Sequence, residues 1–368
     1  MCKESADVVV IGGGARGMAV AYALKKAGLD VMVLERRAIA AGASGLTMGY
    51  VNVSGKGPDF YTRLSKLSAD MYPAYNEELG GDIEYERNGS VGVAETEAEW
   101  EQMSRIAEER NRIEGLDIRM LGIEDLRRME PAISPRLLGG YWCPIDGSVN
   151  ALKLTRALAR NASRLGARIY KDSEVLAVRV AAGRIEAVVT HRMHVATHVV
   201  VNTAGIHVPR VSQMLGVDVP VFPERGQLTI TEALPKIMHR TIGPYRQYAD
   251  GQVMLGVSNE NVGEDTGTTA EMISSRVRKA IRILPVLKKA RGVRCAAALR
   301  PMTPDRLPIY QKVEGVDDFY IAVGHSGVTL APVTGKIFTD LITQGQTDVP
   351  LEHYRAERFK ENKAAAAN

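Results

Sequence analysis

Residues 6–37 read ADVVVIGGGARGMAVAYALKKAGLDVMVLERR, and this stretch decides the fold of the protein. The β-branched run Val8–Ile11 predicts a short buried strand of a parallel sheet. Val31–Leu34 predicts a second strand of the same kind. Between the two strands, apolar residues recur at helical spacing until Gly28 ends the helix. These apolar residues are Met18, Ala21, Tyr22 and Leu24. The order strand, helix, strand predicts a βαβ unit.

Three glycines and one acid make this unit a candidate dinucleotide site. Gly12, Gly14 and Gly17 form the pattern G-x-G-x-x-G. In this pattern the first glycine allows a tight turn, the second lets a diphosphate approach the backbone, and the third lets the helix pack on the strand. The helix N-terminus offers N–H groups to the diphosphate, and Glu35 is placed to bind a ribose diol. The alternative is a glycine-rich turn in an ordinary βαβ unit. The whole pattern favours a dinucleotide, but it suits NAD and FAD equally.

The composition narrows the class of protein. The chain has 368 residues, of which 45% are hydrophobic, and a net charge of +4. These values suit a protein of more than one domain and argue against nucleic acid as a partner. Cys2, Cys143 and Cys295 form no C-x-x-C pair, and the three histidines within 191–198 do not share one face of a hairpin, so no metal is expected. No stretch predicts a transmembrane segment. We expect a cytoplasmic protein, at most peripheral to the inner membrane, with a frayed end at 362–368.

The rest of the chain alternates between helical and extended segments. The predicted helices are 58–80, 95–115, 151–166 and a basic helix around 270–290. An Asn-Gly turn predicts a hairpin over 83–95. Val199–Val201 predicts another buried strand that enters a turn of small residues. Alternating stretches between 220 and 310 predict an antiparallel sheet, and the chain then ends on a strand, a glycine turn and a helix.

We therefore predict an α/β fold with two discontinuous domains. The first is a Rossmann-like dinucleotide-binding domain, and the second is an α+β domain whose antiparallel sheet binds the substrate. The segments predicted for the first domain are 1–82, 144–216 and 315–368. The segments predicted for the second domain are 83–143 and 217–314.

Seven motifs follow one another along the chain in a specific order. They are IGGGARG…LE from Ile11, GASG at 42–45, DG at 146–147, NTAG at 202–205, PERGQL at 223–228, LRPMTPDRLPI at 299–309 and GHSGVTLAP at 324–332. With these motifs the chain resembles the FAD-dependent D-amino-acid oxidase superfamily. That superfamily includes glycine oxidase, sarcosine oxidase and the flavin subunits of multi-subunit proline and opine dehydrogenases. The resemblance spans nearly the whole chain and implies that the first domain is an FAD-binding domain.

The resemblance implies an extended, noncovalent FAD. Some sarcosine-oxidase-like members attach the flavin through a cysteine, and the matching position here is Ala298, three residues after Cys295. A helix opening at Gly327, Val328 and Thr329 would point its positive end at the flavin ring. The alternative for this last motif is a plain helix start. The implied cofactor-binding residues are Gly12, Gly14, Ala15, Arg16, Gly17, Glu35, Arg36, Ser44, Gly45, Met48, Val175, Ala204, Gly205, Gly324, Gly327, Val328 and Thr329.

The resemblance also implies which residues hold the substrate. In the glycine-oxidase-like members the arginine of LRP binds the substrate carboxylate, and Arg300 stands at that position. A planar guanidinium suits this task because it binds a carboxylate with two parallel hydrogen bonds. The alternative is a salt bridge from Arg300 to Asp305 or a bond to a buried backbone carbonyl. The further catalytic candidates are Tyr248, Tyr50 and His325, for which the alternatives are an aromatic wall and a histidine fixed by the backbone.

The expected reaction is oxidation of the C–N bond of a small amino or imino acid, such as glycine, sarcosine, proline or an opine. A hydride would pass from Cα to flavin N5. No lysine that would activate O2 is identifiable, so an oxidase and a dye-linked dehydrogenase both remain open. One alternative is a flavin-bearing subunit of a hetero-oligomeric dehydrogenase whose partner chains carry the electrons away. An NAD-linked dehydrogenase is disfavoured because it leaves the C-terminal glycine turn without a role. The expected partners are the small-molecule substrate and partner subunits or an electron acceptor.

Residues 274–294 are the most basic segment of the chain, with eight lysines and arginines and no acid. Such a run is typical of a solvated helix face. The alternative is a docking surface for an acidic partner subunit or an anionic lipid.

Overall fold

The computed structural model describes residues 2–359, which fold into two compact units. Each unit is assembled from separate segments of the chain. Among the described residues, the first unit consists of 2–45, Ala151–Glu224 and 299–359. The second unit consists of Leu46–Asn150 and Arg225–Ala298. The segment predicted to fray, 362–368, lies outside the described residues.

A six-stranded sheet forms the centre of the first unit. In order across the sheet, its strands are β19 (Ile309–Lys312), β20 (Phe319–Val323), β13 (Val199–Asn202), β2 (Val8–Ile11), β3 (Val31–Leu34) and β9 (Arg168–Tyr170). Neighbouring strands are parallel except β19, which runs antiparallel to β20. Strands β2 and β3 are buried along their whole length, which explains their continuous apolar sequences. Because β3 and β13 flank β2 on opposite sides, the carboxyl end of β2 is a topological switch point, where such sheets bind ligands.

Helices cover this sheet, and a smaller sheet completes the first unit. The helices are α1 (Ala15–Lys26), α5 (Ala151–Arg164), α6 (Val208–Gln213) and α8 (Ala331–Gln344). Helix α1 packs against both α5 and α8. The four-stranded sheet has the order β1 (Cys2–Ser5), β12 (Met193–Ala196), β11 (Arg184–Thr190) and β10 (Val175–Ala181).

An eight-stranded mixed sheet forms the centre of the second unit. In order across the sheet, its strands are β18 (Gly292–Met302), β14 (Phe222–Ala233), β17 (Gln252–Gly256), β16 (Tyr245–Gln247), β15 (Thr241–Ile242), β5 (Ser90–Ala94), β7 (Gly139–Cys143) and β6 (Arg119–Gly122). A short pair joins β4 (Tyr50–Val51) to β8 (Gly147–Ser148). The helices are α2 (Asp59–Glu78), α3 (Glu97–Arg110), α4 (Ile123–Met129) and α7 (Ala270–Ile283).

The second unit buries apolar side chains on both faces of this sheet. Leu255 belongs to a large cluster with Tyr245 and Ile283. Its neighbour Met254 belongs instead to a smaller cluster around Met48. Because successive side chains of a strand point to opposite faces, the two clusters lie on opposite faces of the sheet. We call the smaller cluster the Met48 cluster; its members are Met48, Leu228 and Met254, packed with Tyr50, Ile230, Tyr248 and Ala296.

The predicted α/β class is confirmed, and the helices expected from periodicity are α2, α3, α5 and α7. The hairpin predicted over 83–95 is wrong. Strand β5 pairs with β7 on one side and β15 on the other, so neither edge is left for the residues before the turn. Glu86 instead bridges to Ser148, and the Asn88 amide donates to the carbonyl of His239 at 2.6 Å. The units also divide the chain at other residues than expected, since 46–82 belong to the second unit.

Candidate functional site

The turn that follows β2 depends on close backbone contacts that only glycine permits. Gly12 has a φ of +109°, and a Cβ atom there would lie 2.7 Å from the carbonyl oxygen of Thr203. A Cβ atom on Gly17 would lie 2.0 Å from the carbonyl oxygen of Gly12, so α1 rests directly on the turn. Gly14 is less crowded, with the Ser44 hydroxyl 3.3 Å from its Cβ position. The contacts of Gly12 and Gly17 are those of a tight turn and of a helix packed on it, whereas the role of Gly14 beside a diphosphate stays a prediction.

Polar side chains complete this turn. The Glu35 carboxylate accepts hydrogen bonds from the backbone N–H groups of Gly13 and Arg37, both at 2.7 Å. The Ser44 hydroxyl accepts a bond from the N–H of Ala15 at 3.0 Å. The first turn of α1 begins here, and the first N–H groups of a helix have no acceptors within the helix. The structure therefore brings Glu35, Ser44 and the glycine turn together at a helix N-terminus.

Arg16 has a role that its place in the motif did not suggest. Its side chain is buried and donates to the carbonyl oxygens of Gly324 and His325, the latter at 2.6 Å. Its Nε lies 3.4 Å from the Tyr310 hydroxyl. The Arg16 guanidinium thus connects the glycine turn after β2 to the GHSGVTLAP turn.

The GHSGVTLAP turn is longer than the sequence suggests. The helix expected to open at Gly327 instead begins at Ala331, as α8. Gly324 and Ser326 have positive φ angles of 130° and 64°, so the backbone leaves β20 through a turn before the helix can form. Val328 and Thr329 are buried within this turn. The exposed His325 has its Nδ1 atom 3.0 Å from the Ser326 hydroxyl.

The NTAG segment contributes two residues that sequence reasoning did not single out. The Thr203 hydroxyl donates to the carbonyl oxygen of Ile11 at 2.8 Å, which ties the segment to the glycine turn. The buried Asn202 amide donates to the Val208 carbonyl and the Ser212 hydroxyl, both at 3.1 Å. The motif is visible in the sequence, but its hydrogen-bond partners lie elsewhere in the chain.

The other expected cofactor residues lie in several places. Ala204 and Gly205 belong to the NTAG segment, and Val175 is buried at the start of β10. Gly45 ends the short helix Ala43–Gly45, and Arg36 is exposed.

Arg300 is held by a carboxylate of the first unit. Its Nη1 lies 2.9 Å from a Glu224 oxygen, and its side chain is 15% exposed. Arg306 binds the same carboxylate at 3.0 Å but is 60% exposed. The partner considered from the sequence, Asp305, pairs instead with Arg358 at 2.6 Å. This contact directs Nη1 of Arg300 toward Glu224.

The remaining expected residues lie in the second unit, in the Met48 cluster. The Tyr248 hydroxyl donates to the carbonyl of Thr47 at 3.3 Å, and burial raises the pKa of Tyr248. Burial raises the pKa of Tyr50 well above its usual value as well. Tyr50 lies on β4 opposite Ser148 of β8. Both tyrosines therefore stay protonated at neutral pH and are hydrogen-bond donors.

Asp146, from the DG motif, anchors the segment that follows β4. Its fully buried carboxylate accepts bonds from the N–H of Val53 at 2.6 Å, the Ser54 hydroxyl at 2.5 Å and the Ser90 hydroxyl at 2.7 Å. Burial raises the pKa of Asp146, while these hydrogen bonds lower it. Burial also raises the pKa of the nearby Tyr141 to about 12. These partners are neutral N–H and O–H groups, which stabilise the carboxylate by hydrogen bonding.

The parallel sheet, its switch point and the glycine turn at the start of α1 define a dinucleotide-binding protein of the α/β class. The family model described as FAD dependent oxidoreductase matches residues 7–341. The chain belongs to this family and is an FAD-dependent oxidoreductase, so the expectation of FAD is confirmed. Among the described residues, no helix combines the length and the apolar character that crossing a membrane requires.

Similar proteins match the chain over almost its whole length. An opine oxidase subunit of Rhizobium meliloti is 28% identical, covering 97% of this chain and 99% of the relative. The crystal structure of L-proline dehydrogenase from P. horikoshii superposes with a TM-score of 0.91 at 26% identity, covering 98% of this chain and 99% of that one. The structure of glycine oxidase from Geobacillus kaustophilus has a TM-score of 0.92 at 25% identity and covers 97% and 99%.

The residues of the first unit fit FAD. Gly14 leaves room beside the backbone N–H groups at the start of α1, where a diphosphate binds. Glu35 still has lone pairs for a ribose hydroxyl, because two N–H donors do not saturate a carboxylate. The turn from Gly324 to Thr329 is fixed by Arg16, and it is the segment that the family resemblance places at the flavin ring.

Replacing Gly17 with alanine should weaken FAD binding. The new Cβ atom would lie 2.0 Å from a backbone oxygen, so α1 must move away from the turn, and overpacking of this kind costs about 1–3 kcal/mol. We expect the dissociation constant for FAD, measured by flavin fluorescence, to rise at least about tenfold. Gly122→Ala is the matched control, because its φ is −63° and no described atom beyond Gly122 and its two chain neighbours lies within 4 Å of its Cβ position. Equal FAD affinities for the two variants would contradict the packing argument.

Proposed function

We propose that the protein oxidises the C–N bond of a small amino or imino acid. The observation that carries the proposal is Arg300, a largely buried guanidinium that contacts Glu224 through Nη1. A planar guanidinium is suited to hold the carboxylate of a substrate. The names of the similar proteins support the same substrate class, since they contain an opine, L-proline and glycine.

The residues of the chain have to bind and orient the substrate rather than perform acid–base chemistry. Oxidation removes a hydride from Cα and a proton from nitrogen, and FAD takes up the hydride when it is bound. Arg300 binds the carboxylate and so limits the rotation of Cα. Tyr248 and Tyr50 remain protonated and neutral. The Tyr248 hydroxyl donates to the carbonyl of Thr47, so it can donate to a substrate only by giving up that bond. His325 is the remaining candidate for a contact with the amine. The imine product then hydrolyses to a keto acid, or persists when it is cyclic.

A substrate screen tests this proposal directly. The purified holoenzyme should lose flavin absorbance near 450 nm under anaerobic conditions with at least one compound of the predicted class. The panel consists of glycine, sarcosine, proline, hydroxyproline, D-amino acids and opines, and turnover is then followed with a dye and with O2. If none of these compounds reduces the flavin, the proposed substrate class is wrong.

Replacing Arg300 with alanine should separate substrate binding from cofactor binding. Loss of the carboxylate anchor should raise KM by about 100-fold, equivalent to about 2.7 kcal/mol, while bound FAD is retained. Arg306→Ala is the matched control, because Arg306 shares the Glu224 carboxylate but is mostly exposed; its KM should change by less than about threefold. Loss of flavin from the Arg300 variant, or equal KM values for the two variants, would favour a purely structural salt bridge.

We further propose that the protein works with partner chains. The support is that the relative from Rhizobium meliloti is named as one subunit of an opine oxidase. The candidate contact is a basic surface of five exposed side chains. They are Arg278, Lys288, Lys289, Arg291 and Arg294. In the described part of the chain, none of these side chains has a carboxylate within 4.0 Å. β18 forms the edge of its sheet nearby, with Val293 57% exposed, and such edges suit contact with an acidic partner.

Reversing charge on the basic surface tests the partner hypothesis. A tagged chain purified from its native source should bring partner chains with it and show dye-dependent activity. The triple change Lys288→Glu, Lys289→Glu and Arg291→Glu should remove most of those chains, since like charges then face each other. The control is Arg105→Glu, on the exposed face of α3. Recovery of a single polypeptide that consumes O2 as fast as it reduces dye would instead identify an oxidase that works alone.

A further inference from the structure

Glu224 is a buried carboxylate that lies between two arginines. It is 7% exposed, and its Oε1 atom accepts a hydrogen bond from Nη1 of Arg300 at 2.9 Å. Nη2 of Arg306 donates to both carboxylate oxygens, to Oε1 at 3.2 Å and to Oε2 at 3.0 Å. One carboxylate is therefore shared by two cations, and all three residues belong to the first unit.

The two arginines differ in their surroundings. The Arg300 side chain is 15% exposed, whereas the Arg306 side chain is 60% exposed. An exposed guanidinium exchanges a carboxylate for water at little cost in free energy. A largely buried guanidinium that loses its carboxylate is left as a poorly compensated charge, which destabilises the protein. Another carboxylate therefore replaces Glu224 on Arg300 more readily than water does.

Exchange of one carboxylate for another on Arg300 keeps every charge paired. A substrate carboxylate has the same charge and the same acceptor geometry as the Glu224 side chain. When it takes the place of Glu224, Arg306 still holds the Oε2 atom of Glu224, so no buried charge is left alone. Water can take over from Arg306 because that side chain is mostly exposed, which agrees with the small effect expected of Arg306→Ala.

We propose that Glu224 is an internal competitor of the substrate: its carboxylate occupies Arg300 in the free enzyme, and the carboxylate of the substrate displaces it. This inference rests on the proposed function, in which Arg300 anchors the substrate. Because Glu224 is attached to the same chain, it competes at a high effective concentration. The apparent affinity for a ligand falls with the fraction of protein that is competent to bind it, so Glu224 raises the substrate concentration that half-saturates the enzyme.

The test uses acetate, a carboxylate that has no C–N bond to oxidise. Binding of acetate to the purified holoenzyme is titrated by saturation-transfer NMR on its methyl group, and Arg300→Ala defines the binding that takes place elsewhere on the protein. The test variant is Glu224→Gln, which keeps the size of the side chain but removes its charge, and a neutral acceptor holds a guanidinium more weakly. Glu314→Gln is the matched control, because Glu314 is an exposed residue of the same unit.

We expect the dissociation constant for acetate to fall at least about fivefold in Glu224→Gln. In Glu314→Gln it should stay within about twofold of the wild type, because solvent and salt screen an exposed charge. The KM for the amino or imino acid found by the substrate screen should fall together with the dissociation constant in Glu224→Gln. An unchanged or higher dissociation constant in that variant would overturn the inference, because Glu224 would then position Arg300 for the substrate instead of competing with it.

Wild-type enzyme provides a second measurement if the glutamine variant fails to fold. Crystals soaked with acetate should show it on the Arg300 guanidinium, with the contact from Glu224 to Arg300 lost and the contact from Glu224 to Arg306 kept. Acetate on Arg300 beside an intact Glu224 contact would overturn the inference. Failure of the proposed function looks different: acetate then binds Arg300→Ala as tightly as the wild type, so Arg300 is not a carboxylate anchor and the inference falls with it.

Discussion

The close approach of Gly17 to the carbonyl oxygen of Gly12 is the contact on which the first unit depends. It sets α1 directly against the end of β2, at a distance that no side chain would permit. Helices α5 and α8 pack against α1, so their positions follow from the same contact. Arg16, in the first turn of α1, then holds the carbonyls of Gly324 and His325. One backbone contact near the start of the chain therefore positions a turn that lies about 300 residues later.

In the second unit, a buried carboxylate holds separate segments of the chain together. Asp146 collects hydrogen bonds from Val53, Ser54 and Ser90, which join the end of β4, the start of β5 and the loop before β8. A carboxylate that accepts this many donors can remain buried without a cation, because the hydrogen bonds replace water. The pairing of β4 with β8 holds Tyr50 in place. The position of this candidate residue thus depends on Asp146, which lies far from it in sequence.

The sequence predicts the parts of the structure that local contacts determine. The βαβ unit of residues 6–37 was predictable because its strands, turn and helix carry their signals within one continuous stretch. The partner of Arg300 was not, because Glu224 is 76 positions away and nothing in its motif marks it as a counter-ion. The start of α8 was predictable only in part. The glycine turn predicts a helix from Gly327, but the positive φ angles of Gly324 and Ser326 extend the turn, and α8 begins at Ala331. Which sheet face a residue occupies also depends on register, and only the structure contains that information.

The pairing of Arg300 decides what this side chain can supply to a substrate carboxylate. Arg300 contacts Glu224 at 2.9 Å, so part of its charge is already compensated, and its planar geometry mainly provides direction. The LRP motif marks the arginine in the sequence but does not reveal this counter-ion. A counter-ion this close weakens attraction at longer range while leaving short-range hydrogen-bond geometry intact.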